Sequence, residues 1–288
     1  MTLISKSETE NKLSWIRQDV EQRLLFPGGR HTRVNNFLSA IIGLLLTVVF
    51  YASLIPFDDS RLAKMFTRRG FVPYFITFFT AWCLAILFFK WRKLAFQRQS
   101  LGIAVVPAEH DFVLSPATVD IVLDRTREHV DDPRHFVLFN RMTVALSNLR
   151  NLGRVADVDD ILRSQAEVDE SSMETSYSLL AGFIWAIPVL GFIGTVLGLS
   201  NAIGGFGNVL KTAEDIETVK AALQGVTGGL ATAFETTLEA LVASLIIQLI
   251  VTFLKKAEQE FLDECSDYCS HNIVNKLRLM PFQQDTSE

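Results

Sequence analysis

Apolar and polar positions separate into long blocks along the chain. No charged residue occurs from Val34 to Phe57, and none from Gly70 to Phe89. A third uncharged run extends from Thr175 to Leu210, and a fourth apolar region, Ala221 to Leu254, is interrupted only by Glu235 and Glu239. A helix crossing the hydrocarbon core of a bilayer needs about 20 apolar residues at roughly 1.5 Å rise each. The pattern therefore predicts four membrane-spanning helices, at 34–57, 70–90, 177–204 and 221–254.

The segments between them follow from the same pattern. Residues 58–69 form a short external hairpin and 205–220 a second external loop. Residues 91–176 form a cytoplasmic helical domain, with 1–33 and 255–288 as cytoplasmic ends. Within 91–176, Leu138, Met142, Leu146 and Leu149 recur at helical spacing, followed by Val158, Ile161 and Leu162. Asn151-Leu152-Gly153 reads as a helix stop and Asp157 to Asp160 as the acidic first turn of the next helix. No Gly or Pro interrupts 172–180, so the third span is expected to continue a helix rising from that domain. The fold class is an all-α membrane protein with four transmembrane helices.

Orientation comes from the basic residues. Arg30 and Arg33 precede the first span, Lys90, Arg92, Lys93 and Arg98 follow the second, and Lys255 and Lys256 follow the fourth. The positive-inside tendency puts these flanks, and both termini, in the cytoplasm. The first hairpin runs against this, because it carries Arg61, Lys64, Arg68 and Arg69 against Asp58 and Asp59.

Composition narrows the class further. The 288 residues are 49% hydrophobic with a mean hydropathy of +0.26. Lys and Arg total 27 against 32 Asp and Glu, which lacks the basic excess of a nucleic-acid binder. The polar first 33 residues have no basic stretch leading into a short apolar core, so no cleaved signal is expected. Cys83, Cys265 and Cys269 make no disulfide framework, and a reducing cytoplasm suits the tail.

The chemistry concentrates in the last two spans. In the third, Gly191, Gly194, Gly198 and Gly205, with Ala202 between, fall three or four apart and form one smooth stripe on which another backbone can pack closely. The stripe also carries Thr195, with Asn201 beyond it. In the fourth, Gly228 and Gly229 precede Thr232, Glu235, Thr236 and Glu239, which share one helix face with Ala243, while Thr237, Ala240 and Ser244 lie beside it. Carboxylates left in hydrocarbon cost at least about 2 kcal/mol each, so Glu235 and Glu239 must face water, a partner helix or a bundle interior. The plain alternative is that they accept hydrogen bonds from Thr or from a basic residue of a neighbouring helix and fix assembly only. A single membrane threonine often bonds the carbonyl one turn earlier and needs no role in conduction; the cluster carries the weight.

These residues resemble the MotA/TolQ/ExbB proton-channel family. Gly191 to Gly198 match its Gly-x-x-Gly-Thr-Val-x-Gly segment, and Ala233-x-x-x-Thr237 is similar to the Ala-x-x-x-Thr of its last span. The resemblance implies an ion-conducting stator subunit that couples proton or sodium flow across the bacterial inner membrane to rotation or conformational work. It implies a homopentamer around two single-span partner helices of the ExbD/TolR/MotB type, whose membrane-embedded aspartate takes the ion while threonines line its path. Carried to this chain, the lining residues are Thr195 and Thr237, with Thr236 competing for the same position. Thr232, Glu235, Glu239 and Asn201 join them as candidates, and Gly191, Gly194, Gly198, Ala202, Gly228 and Gly229 are expected to pack helices. The chain departs from the family where Leu238 and Glu239 follow Thr237, at positions that usually hold Gly-Leu or small residues.

A non-conducting membrane scaffold with glycine-packed helices is the second reading. An enzyme is the third. His110, His129 and His135 with Asp131 and Asp132, and Cys265, Cys269 and His271 in the tail, show no recognised ligand spacing, nor is there a phosphate loop or nucleophile elbow. No enzyme activity, metal or cofactor is therefore expected.

Overall fold

The structure, a computed structural model of the full chain, describes residues 13–23, 28–107, 112–152, 156–212 and 216–277. The expectations for the two extreme ends, for His110 and for Gly153 lie outside the described residues. Ten α-helices run through the described residues: α1 (Trp15–Gln18), α2 (Val20–Arg23), α3 (Asn36–Leu54), α4 (Arg61–Thr67), α5 (Val72–Arg98), α6 (Val119–His129), α7 (Val137–Leu152), α8 (Ala156–Ser176), α9 (Ser178–Thr212) and α10 (Ile216–Asn272). There are no strands among them, just two isolated bridges, Leu13 with Val130 and Leu114 with Leu277. Four helical stretches, Asn36–Phe57, Val72–Gly102, Asp157–Gly207 and Ile216–Lys276, are long and apolar enough to cross a membrane. The chain is an all-α, multi-pass membrane protein.

It divides into two compact units. One comprises Asn36–Phe88 and Tyr177–Leu254, the other Met1–Asn35, Phe89–Ser176 and Lys255–Glu288.

The first unit holds the four spans, and it differs from the sequence expectation at its edges. The hairpin at 58–69 is not a simple turn. Pro56 ends the first span in a 3-10 turn, Ile55–Phe57, and the Ser60 side chain then accepts from the Ala63 N–H and starts α4. The loop expected at 205–220 is mostly helix, since α9 runs to Thr212 and α10 starts at Ile216. Gly204, Gly205 and Gly207 meet nothing within 4 Å and do not end the helix. Where water is excluded, a continuous helix satisfies its own carbonyls and N–H groups, and glycine loses much of its breaking effect. Between α3 and α5 the contact is very close at Gly43, where an added Cβ would lie 2.7 Å from Trp82 Cα. Trp82 Nε1 donates to Ser39 Oγ at 3.1 Å across the same contact.

The second unit packs α7 against α6 and α8. Leu138, Met142, Leu146 and Leu149 of α7 are buried, as are Val158 and Leu162 of α8. Two groups read as charged flanks in the sequence turn inward. Lys93 is buried and donates to Glu21 at 2.5 Å and to the Arg33 carbonyl at 2.7 Å, while Glu21 accepts from the Gly29 and Asn35 N–H groups. Lys90 donates to Ser176 Oγ at 2.9 Å and pairs with Glu258 at 3.2 Å. Arg92 and Arg98 stay exposed. Asp131 caps α1, accepting from Ser14 Oγ and from the Trp15 and Ile16 N–H groups. Those bonds hold its carboxyl below the usual range despite partial burial.

His31 sits in the same unit in a left-handed conformation, φ 56°, with its ring 3.8 Å from Asp169. Burial first, then the charges of Arg30, Arg141 and His135, push it down to about 4, against an opposing hydrogen bond. Above about pH 6.5 the ring is neutral in both folded and unfolded chains and adds no pH dependence. Between about 6.5 and 4 the unfolded chain binds a proton that the folded chain refuses, so stability falls as the pH drops, by up to about 3 kcal/mol in total. The expected result is a thermal midpoint, measured on the full chain in detergent, that drops more between these pH values in wild type than in His31→Asn. Asparagine tolerates the left-handed backbone. Equal pH profiles would contradict it.

Candidate functional site

Two polar clusters lie on different sides of α10, both within the four-span unit. The first joins α10 to α9. Gly191, Gly194 and Gly198 turn directly onto α10: an added Cβ would stand 2.5 Å from Ala240 Cβ, 2.7 Å from Thr236 Oγ1 and 3.0 Å from the Gly229 carbonyl, respectively. Gly229 answers from α10, its added Cβ lying 2.5 Å from Ala202 Cβ. Gly228 takes no part. It faces open space, because neighbouring positions on a helix point about 100° apart and Gly229 occupies the contact.

Close backbones bring side-chain hydroxyls within reach of the opposite helix. Thr195 and Thr237 share a direct hydroxyl–hydroxyl hydrogen bond. Thr195 Oγ1 also lies 3.0 Å from the Ala233 carbonyl, and Thr237 Oγ1 3.1 Å from the Gly191 carbonyl. Two hydroxyl protons thus face two carbonyl oxygens and each other's lone pairs. The seam presents hydroxyl and carbonyl oxygens as hydrogen-bond acceptors between the two helices. Two turns along α10 from Thr237, Ser244 donates to the Ile184 carbonyl at 3.0 Å. That carbonyl is the one released by Pro188, which has no N–H to return to the residue four before it.

Thr236 does not join this pair. It is buried and bonded to the Thr232 and Ala233 carbonyls of its own helix, with Gly194 against its hydroxyl. Asn201 stands apart as well. It is exposed, six residues and about 9 Å along the helix from Thr195, beside a shallow cavity of about 310 Å³ with Gly205, Phe206 and Gly225.

The second cluster joins α10 to the first two spans. Arg69 donates to Glu235 Oε2 at 2.7 Å and to Thr232 Oγ1 at 3.0 Å. One turn further along α10, Glu239 Oε1 is 3.5 Å from Thr77 Oγ1, which in turn lies 3.3 Å from the Tyr51 hydroxyl. The glutamates and the Thr195–Thr237 pair, adjacent in sequence, therefore lie on separate contacts.

Sequence reasoning did not single out Arg69, Thr77 or Tyr51. Arg69 had left a signal, since a hairpin rich in Arg and Lys beside a span bearing two unexplained acids is a charge balance waiting to be closed. Thr77, in an uncharged run of aromatic residues, had left none.

Several of the residues considered for metal or enzymatic chemistry have neighbours within the fold. Asp131 is the α1 cap, His129 Nδ1 lies 2.8 Å from the Arg125 carbonyl, and His135 pairs with Asp132 at 3.3 Å. Cys265 and Cys269 are buried free thiols, and that burial first of all pushes both thiols well up from the usual range, Cys269 to about 12. Among the described residues no three His, Cys, Asp or Glu side chains gather as metal ligands.

The fold and the α9–α10 seam define a polytopic membrane protein whose last two spans are bound through glycines and threonines. Residues 135–266, which contain that seam, match the model of the MotA/TolQ/ExbB proton channel family. No curated protein and no solved structure matches the chain.

Proposed function

We propose that the chain is the ring-forming, ion-conducting subunit of a stator complex in the bacterial inner membrane. Five copies surround a dimer of single-span partners, and the Thr195–Thr237 seam borders the route by which a proton or sodium ion reaches the partner's membrane-embedded aspartate. Both termini are cytoplasmic, and the protein transports rather than catalyses. The single observation that carries this reading is the hydroxyl pair, held between two close-packed helices inside the matched segment.

Orientation is supported by the basic residues that stay exposed, Arg92 and Arg98 after the second span and Lys255 and Lys256 after the fourth. Each charge that crosses 100 mV supplies about 2.3 kcal/mol, enough to bias a step between two ring positions. The surrounding hydroxyls and carbonyls replace part of the ion's hydration.

Thr195→Val and Thr237→Val, close to isosteric, are expected to lower ion flux by about tenfold or more, equivalent to about 1.4 kcal/mol on the barrier. The measurement is gradient-driven uptake in vesicles carrying the full chain and its single-span partner, with H⁺ and Na⁺ tried in turn. Thr→Ser at each position restores the hydroxyl and is expected to recover most of the flux. Wild-type flux in both valine variants, with the oligomer intact, would leave the seam a packing device and the protein a scaffold.

A further inference from the structure

We infer that Glu239 is a proton-binding site within this subunit, reached from the lipid phase through an apolar groove and separate from the Thr195–Thr237 seam. The groove, about 710 Å³, lies in the four-span unit and is walled by apolar side chains such as Leu46, Phe50, Phe66, Leu84, Val242 and Ile246. Glu239 lines it and is itself only 8% exposed. Its Oε1 has the Thr77 hydroxyl at 3.5 Å, a long contact, and its Oε2 is buried with no hydrogen-bond partner among the described residues.

Every charged or titratable group that faces this carboxyl from the packed elements is otherwise engaged or neutral. Tyr51 of α3 points its hydroxyl at Thr77. Lys64 of α4 turns to Asp59, with its ammonium 3.7 Å from the carboxylate. Arg69, ahead of α5, is held by Glu235 and Thr232. Glu235, one turn along α10, has its own cation. The two acids thus differ in kind: Glu235 is a paired carboxylate, whereas an ionised Glu239 would keep a bare oxygen in an apolar wall at a cost of several kcal/mol. A metal cation would need several oxygen ligands, and Thr77 offers one. A proton needs only the carboxyl itself.

What the proton does in transport rests on the ion-conducting reading; its presence in the groove does not. The test is a hydrophobic carbodiimide added to native membranes that carry the full chain. The carboxyl O–H gives its proton to one carbodiimide nitrogen while the carboxyl oxygen bonds the central carbon, converting one C=N into a C–N bond. The acyl group then migrates to nitrogen as a stable acylurea, read by peptide mass spectrometry. The expected result is an adduct on Glu239 and none on Glu235, falling several-fold as the pH rises from about 6 to about 9 because the ionised acid does not react. Glu239→Gln abolishes the adduct. Absence of label on Glu239 in the wild-type chain, label on Glu235 instead, or labelling indifferent to pH would overturn the site. Equal labelling by a water-soluble carbodiimide would overturn the lipid route. None of these readouts depends on flux, so failure here is distinct from failure of the threonine variants.

Discussion

Gly191→Val is expected to separate α9 from α10 and to be among the most damaging single changes in the chain. An added Cβ already falls 2.5 Å from Ala240 Cβ, with Thr237 Cα at 3.2 Å and the Thr236 carbonyl at 3.3 Å. Carbon atoms rest at about 3.5–4.0 Å, and none of these neighbours is the movable end of a long side chain. The helices must part by about 1 Å or more. That motion stretches the Thr195–Thr237 bond, the Thr237 bond to the Gly191 carbonyl and the Ser244 bond that satisfies the carbonyl freed by Pro188. Overpacking alone costs about 1–3 kcal/mol, and three interhelical hydrogen bonds at about 0.6 kcal/mol each add to it. The check is the thermal midpoint and the monodisperse yield of detergent-extracted protein. Gly204→Ala and Gly228→Ala, where the added methyl meets nothing, serve as controls expected near wild type. Ala240→Gly placed in a Gly191→Ala background returns the missing space and is expected to recover much of the loss. A wild-type-like Gly191→Val would show that the seam does not hold these helices.

That seam was legible in the sequence because small residues at 191, 194, 198, 202 and 229 have one physical use in an apolar helix: letting another backbone close in. The four spans were legible for a similar reason, since uncharged runs of that length have few other soluble explanations. The continuity of α9 through Gly204, Gly205 and Gly207 was not. Glycine and nearby charges signal a loop in water, and the helix persists here for reasons of environment that sequence does not display. Nor did helical periodicity show that the face bearing Glu235 and Glu239 and the face bearing Thr237 meet different neighbours. Arg69 closes the first contact and Thr195 the second, from different spans of the chain. Periodicity assigns residues to a face; the neighbour of that face is a tertiary fact.

Lys90 marks the same boundary for charge, and its removal is expected to have the second large effect. In the sequence it belongs to the basic flank after the second span. In the structure its side chain is 1% exposed, and its ammonium meets Ser176 Oγ and both oxygens of Glu258, a carboxylate that also accepts from Thr32 Oγ1. Lys90→Leu leaves Glu258 in place without its cation. Breaking one side of a buried pair in this way costs about 3–5 kcal/mol, because the remaining charge has been desolvated without compensation. Glu258→Leu is expected to cost a similar amount, now with a buried ammonium left over. The double variant Lys90→Leu/Glu258→Leu removes both charges and is expected to be far more stable than the sum of the single losses. Its coupling should exceed about 1 kcal/mol. Thermal midpoints of the four proteins in one detergent close the cycle. Additive losses would show that the two charges act independently, and a harmless Lys90→Leu would return Lys90 to the role of an ordinary cationic flank.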